Sequence, residues 1–188
     1  MVELILATTA LHRDMCRSFI EQHHSYVPSY KSVGRRIDWL VNYEGRFVGM
    51  IGIGSATYPP CKDVLLYLRL SKQEYREQFN SFANNWRFCL AVSIKNLGTQ
   101  VLKHLRAEAP RAWGDKYGDS LKYLMTFVGG GNSGAVYKAD NWMLVGRTAG
   151  LPPHLSSSMK WHTRSELRTR FVKPTGENKK LIFLKAIN

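Results

Sequence analysis

Acidic residues are scarce in this chain. Asp and Glu total 14 against 27 Lys and Arg, a formal net charge of +13. Such a surface disfavours a small neutral ligand as the only partner and favours a polyanion, either nucleic acid or an anionic membrane. Cysteine is scarcer still: Cys16, Cys61 and Cys89 are odd in number, far apart and without a C-x-x-C pair. That spacing excludes a disulfide framework and a structural zinc site, and it implies a reducing, cytoplasmic setting (the host's cytoplasm, if a phage encodes the chain). No run of 18 apolar residues occurs, so no segment is expected to span a bilayer, and no membrane partner is expected. The start, MVELILATTALHRD, is apolar but lacks a basic leader and carries Glu3, so no signal peptide is expected. Six histidines show no H-x-H and no H-E-x-x-H, so no metal site is assigned.

Hydrophobic residues make up 44% of the 188 and charged residues 22%, the balance of one globular domain with a real core. Val2–Thr8 reads as a strand. Leu11, Met15, Phe19 and Ile20 have helical spacing within Leu11–His24. Arg36–Tyr43 and Phe47–Ala56 flank Glu44-Gly45-Arg46 as a hairpin. Ser71, with Glu74 three residues on, opens a capped helix to about Phe82. Trp86–Ser93 is a strand, and a helix from Asn96 or Thr99 to Glu108 is stopped by Pro110. Leu121–Val128 is a buried strand, Gly134–Asn141 a short helix, Trp142–Arg147 a strand and Lys180–Ile187 a closing strand. The order is an α/β domain with a mixed, largely antiparallel, twisted sheet and helices on both faces. Residues 1–150 form the domain, and 151–188 form a basic tail whose last strand packs on it. That tail holds eight of the basic residues and two acidic ones, Glu166 and Glu177.

Two junctions can carry chemistry. Gly129–Gly131, followed by Asn132 and Ser133 as helix caps, either exposes backbone N–H groups to an anion or is a tight turn needing positive φ. Lys95, Asn96, Leu97, Gly98 and Thr99 lie between a strand and a helix; free N–H groups and the positive helix end there suit a pyrophosphate, and the alternative is an ordinary junction with a solvated lysine. His23-His24-Ser25-Tyr26 closes the first helix, where a histidine serves either as a dipole partner or as a base at a loop rim. Basic and aromatic residues interleave around Lys31, Arg35, Arg36 and Trp39, and again around Lys160, Trp161, Arg164 and Arg168, a pattern for binding DNA, double- or single-stranded. Trp39 itself, within a strand pattern, reads as core.

Three stretches carry a resemblance: YKSVGRRIDWLVNYEGRFVGMIGIGSA, NNWRFCLAVSIKNLGTQVLKHL and TFVGGGNSGAVYKADNWMLVGRT. Together they resemble the family of the Druantia anti-phage protein DruA and, more distantly, the phage Mom DNA-modification proteins. Both look like branches of the GNAT-like N-acyltransferase fold. The resemblance covers roughly Ile20 to Gly150. It implies a single GNAT-like domain whose sheet splays in a V between the strands ending at Ser93 and starting at Leu121. It implies modification of the exocyclic amine of adenine in DNA, protecting it from restriction. Lys95–Thr99 then hold the phosphates of acetyl-CoA or another acyl-CoA; Lys95 and Gln100 depart from the Q/R-x-x-G-x-G/A pattern of that fold. His24 with Tyr26, and Tyr137 with Asp140 in the YKADNW match, become the catalytic group. Gly129 stands where the family often carries an acid. The same resemblance leaves open a catalytically inactive DNA-binding protein. A small-amine N-acetyltransferase is a further alternative, opposed by the charge.

Overall fold

The structure, a computed structural model, describes residues 1–24, 29–31, 34–150 and 179–187. Seven strands form one sheet in the order β1-β2-β3-β4-β5-β7-β6. They are β1 (Val2–Leu6), β2 (Arg36–Tyr43), β3 (Arg46–Ser55), β4 (Phe82–Leu90), β5 (Tyr123–Val128), β6 (Met143–Arg147) and β7 (Leu181–Ala186). Every neighbouring pair is antiparallel except β4 and β5. The mixed, largely antiparallel sheet expected from the element order is therefore observed.

Helix α1 (Ala10–His23) and helices α2 (Lys62–Leu68) and α3 (Lys72–Glu77) lie on one face; α4 (Leu97–Tyr117) and α5 (Ala135–Ala139) lie on the other. The alternation of strand side chains sets this division. Trp39, Val41, Ile51 and Ile53 point to α4, whose Leu97, Val101, Leu105, Ala109 and Trp113 form its buried stripe. Leu40, Met50 and Cys89 point the other way, to Cys16 and Ile20 of α1. Trp39 is buried core, as its strand position indicated.

Three expectations are corrected. Pro110 does not stop α4, which runs to Tyr117 and ends on Gly118 at φ 72°. Proline inside a helix costs about 3 kcal/mol, but Leu105 and Ala109 before it and Trp113 after it are all buried on one stripe, and their packing carries the helix through. Second, β4 is Phe82–Leu90 rather than Trp86–Ser93, because polar Asn84 and Asn85 are inside the strand, not before it. The sheet consequently splays after Asn84: β4 and β5 pair only from Phe82↔Tyr123 to Asn84↔Met125. Third, the helix capped by Ser71 ends at Glu77, and a 3-10 turn follows at Phe79–Ser81; the capping box with Glu74 is present as read. Helix α2 had no counterpart in the sequence reading.

Candidate active site

The splay produces a cleft of about 370 Å³ on the side where β4 and β5 part. Its walls come from Asn85–Leu90 of β4, Thr126–Val128 of β5, the loop and helix Asn132–Tyr137, and His23 and His24 at the end of α1. A β-bulge shapes the β4 wall. Against β3, Arg87 stands opposite Gly52 and Asn85 opposite Ile53, so Trp86 is the extra residue. A bulge breaks the ladder and leaves carbonyls to satisfy. Asn85 does this with its own side chain, its Nδ2 donating to the Gly52 carbonyl at 2.8 Å and the Arg87 carbonyl at 3.1 Å.

Asn85 Oδ1 accepts from the Tyr137 hydroxyl at 2.7 Å. Thr126 Oγ1 donates to the Asn85 carbonyl at 3.2 Å. This buried trio joins β4, β5 and α5 at the base of the cleft. Tyr137 was identified from sequence; Asn85 and Thr126 were not. Asn85 lay inside the quoted NNWRF stretch, but nothing in the sequence marks which asparagine faces inward.

His24 is the C-cap of α1, its N–H donating to the Ile20 carbonyl at 3.1 Å. Burial, then the charges of Arg87 and Lys180, hold its imidazole down at about 4. It is therefore neutral at physiological pH. Lys180, just before β7, packs its stem over Gly129, where an added Cβ would meet Lys180 Cγ at 3.1 Å. A lysine stem thus covers the position at which the resemblance anticipates an acid. No Asp or Glu is among the described residues lining the cleft.

Asp140 is placed elsewhere. Its carboxylate takes a two-pronged bond from Arg106 of α4 at 2.7 and 3.0 Å and a third from Trp142 Nε1 at 2.9 Å. It does not line the cleft; it pins the end of α5 to α4. Tyr26 lies outside the described residues.

The α4 N-terminus lies next to the cleft. Gly98 is so close to α5 that an added Cβ would stand 2.7 Å from Val136 Cγ2, and Phe88 is next nearest at 3.9 Å. Val136 and Phe88 both line the cleft. Asn96 precedes the helix at φ 63° with no side-chain cap, and the Thr99 hydroxyl is turned back to the Asn96 carbonyl at 2.8 Å. The first-turn N–H groups of Gly98 and Thr99 have no carbonyl four residues back within the helix. This end of a 21-residue helix is open to an anion, and Lys95 beside it is exposed. The Gly130–Gly134 turn is of the positive-φ kind, with Gly130, Gly131 and Gly134 all at positive φ; the cap alone is corrected, since Gly134, not Asn132 or Ser133, is the N-cap of α5.

Of the residues named for nucleic acid, Lys31 is exposed. Arg35 is ion-paired to Asp119 and lies over the Tyr117 ring at 4.7 Å. Arg36 is ion-paired to Asp38 at 2.5 Å and wedged against Tyr30 and Trp86. Both guanidinium groups are neutralised internally, so they do not form an open basic patch. Lys160, Arg164 and Arg168 lie outside the described residues.

The sequence matches the family model "Druantia protein DruA" over residues 2–160. The chain belongs to the DruA family. No curated protein matches it. Solved structures similar to this DruA-family chain include the ribosomal-protein-S18-alanine N-acetyltransferase of Escherichia coli, at TM-score 0.55 and 10% identity over 100% of this chain and 95% of that one. The aminoglycoside acetyltransferase AAC(6')-Ib in complex with coenzyme A is similar at TM-score 0.54 and 12% identity, covering 98% of this chain and 95% of that one. The IAA acetyltransferase of Bacillus cereus is similar at TM-score 0.53 and 12% identity, over 99% and 98%. At these identities the likeness establishes the fold, which is that of the GNAT acetyltransferases.

Proposed function

We propose that this DruA-family protein is an N-acyltransferase whose cleft takes an acyl-CoA donor and whose acceptor is the exocyclic amine of adenine in DNA. The observation that carries the reading is one splayed cleft lined by a half-buried, neutral histidine and a buried tyrosine, with the N-terminus of α4 beside it. The donor fits the residues present. The N–H groups of Gly98 and Thr99 and the Lys95 ammonium would hold its phosphates, as helix N-termini hold anions generally. An acyl-CoA supplies a carbonyl activated as a thioester, and transfer to an amine leaves an amide and a thiol.

His24 is the group that takes up the proton of the acceptor amine. An imidazole held neutral can accept it at any pH above about 4, and a positioned base is worth typically ~10²–10⁴-fold. Tyr137, in the same cleft, supplies a hydroxyl oriented by Asn85. Asp140 acts at one remove, by holding α5 in place.

Charge supports DNA as the acceptor, and the adenine amine within it is what the resemblance to the Mom proteins implies. A small amine calls for no surface of +13. The segment between Gly150 and Lys179 starts and finishes where Thr148 and Lys180 exchange hydrogen bonds, and Lys180 is the residue packed over Gly129. Lys160, Arg164 and Arg168 belong to that segment and add to the positive charge that a DNA strand presenting one base would meet. An enzyme that acts on a base flips it out or uses a single strand.

The test is mass spectrometry of nucleosides from cells making the wild type, His24→Ala or Tyr137→Phe. A new adenine adduct in wild type that falls at least ~10²-fold in His24→Ala supports the reading. Folded wild-type protein that leaves DNA unmodified overturns it. A second reading, a DNA-binding protein without transferase activity, is favoured by the absence of a carboxylate among the described cleft residues; it predicts DNA binding with no adduct.

A further inference from the structure

Between β2 and β4 lies a cluster with no part yet in the chemistry. Asp38 is buried at 7% exposure, on the α1 face of the sheet. Its Oδ2 accepts from the Tyr30 hydroxyl at 2.9 Å and from Arg36 Nε, and its Oδ1 accepts from Trp86 Nε1 at 3.1 Å. Around this carboxylate, cations and rings alternate. Arg17 of α1 lies over Tyr30 at 5.7 Å, Arg36 over Tyr30 at 3.7 Å and over Trp86 at 4.4 Å, and Arg87 over Trp86 at 4.9 Å. The ladder runs from α1 through the segment after it to the bulged residues of β4.

Gly52 makes room for this arrangement. A Cβ there would collide with both Asp38 Oδ1 and Trp86 Nε1. The ladder also reaches back along the chain. Arg36 donates to the Tyr30 carbonyl at 3.1 Å, and Arg87 donates to the Ser29 carbonyl at 3.1 Å and the Trp86 carbonyl at 2.7 Å. Asp38 thus organises the groups that anchor Trp86 and Arg87, and both line the cleft together with His24.

We propose that Asp38 is a positioning residue for the cleft: through Tyr30, Arg36 and Trp86 it anchors the bulged residues Trp86 and Arg87 of β4, and so keeps Arg87 in place as the wall that shields His24. The proposal rests on the reading of the cleft as a transfer site only for its catalytic consequence; the shielding of His24 is independent of it. Three donors converge on one buried carboxylate, and charge-assisted bonds of this kind are the stronger and more directional ones. A small misplacement far from the reacting atoms can cost ~10²-fold in rate.

The test reads His24 directly, by nuclear magnetic resonance titration of its ring. In the wild type it should titrate at about 4. In Asp38→Asn the anchor is lost, His24 gains solvent, and its midpoint should rise to about 5 or above, towards the ordinary histidine value. Trp86→Phe keeps a ring and removes one donor, and should produce a smaller rise in the same direction. Asp63→Asn loosens the α2–β6 contact, which Asp63 makes by accepting from the Arg147 N–H at 3.0 Å, and should leave His24 unchanged. A folded Asp38→Asn whose His24 titrates as in the wild type overturns the proposal. If Asp38→Asn does not fold, an unchanged titration in Trp86→Phe overturns it. In a transfer assay, Asp38→Asn should lower kcat by ~10²-fold with donor affinity unchanged. A wild type that transfers nothing defeats the transferase reading, while the titration still decides the shielding of His24.

Discussion

The Tyr137 hydroxyl sits in a buried trio, bonded to Asn85 at 2.7 Å. Tyr137→Phe leaves Asn85 Oδ1 without that donor and should cost about 1–3 kcal/mol in urea unfolding, the penalty for a buried orphaned acceptor. His24 has a second signature, in pH. Its folded value lies below its unfolded one, so between about 4 and 6.5 the unfolded chain binds more protons. Stability should therefore be fully present above about pH 6.5 and decline as pH falls towards 4. The rate of transfer should show no histidine break near 6.5, and its acid limb should lie near 4. Asp140→Asn should destabilise by roughly 2–3 kcal/mol, less than the ~3–5 of a fully buried pair because Arg106 is 30% exposed. His24→Ala separates from both by removing the base while sparing the trio and the Arg106 pair.

At the scale of elements, the α4–α5 contact governs the shape of the donor end. Gly98 is the point of closest approach, and Gly98→Ala pushes its Cβ to 2.7 Å from Val136. A β-branched neighbour in a packed cluster gives way poorly. The variant should lose about 1–3 kcal/mol in chemical denaturation and weaken acyl-CoA binding, measured by calorimetry, through displacement of Val136. The bulge at Trp86 is the second element-scale device. It turns β4 away from β5 just where their pairing stops at Asn84↔Met125. A strand without the bulge would continue the parallel ladder and close the cleft.

At the scale of the molecule, net charge is the dominant fact. DNA affinity should fall with salt, with about −0.9 in the log–log slope for each phosphate neutralised in duplex DNA. Charge reversal at Arg164 and Arg168 should weaken binding to all sequences alike. Arg35→Gln and Arg36→Gln should leave the slope nearly unchanged and lower thermal stability instead, because both guanidinium groups are already paired within the fold. Filter binding across a salt series distinguishes the two sets.

The sequence by itself carried the order of the seven strands, the hairpin β2–β3, the capping box at Ser71 and the core position of Trp39. Those follow from local periodicity and local hydrogen bonding, which depend on neighbours along the chain. The tail's charge and the strand-to-helix junction at Lys95–Thr99 were also legible, because composition and glycine spacing are local quantities. Which polar residues meet across the sheet was not. Asn85, Thr126 and Tyr137 are brought together by the splay, and the splay comes from a bulge that only strand register reveals. Asp140 was read as part of a motif, yet its carboxylate turns to Arg106, 34 residues away. Pro110 reads as a stop because its penalty is local, whereas the stripe of Leu105, Ala109 and Trp113 on either side is buried only by the sheet. Tertiary structure decided each of these, since a side chain's partner depends on which face the backbone presents and on what is packed against that face.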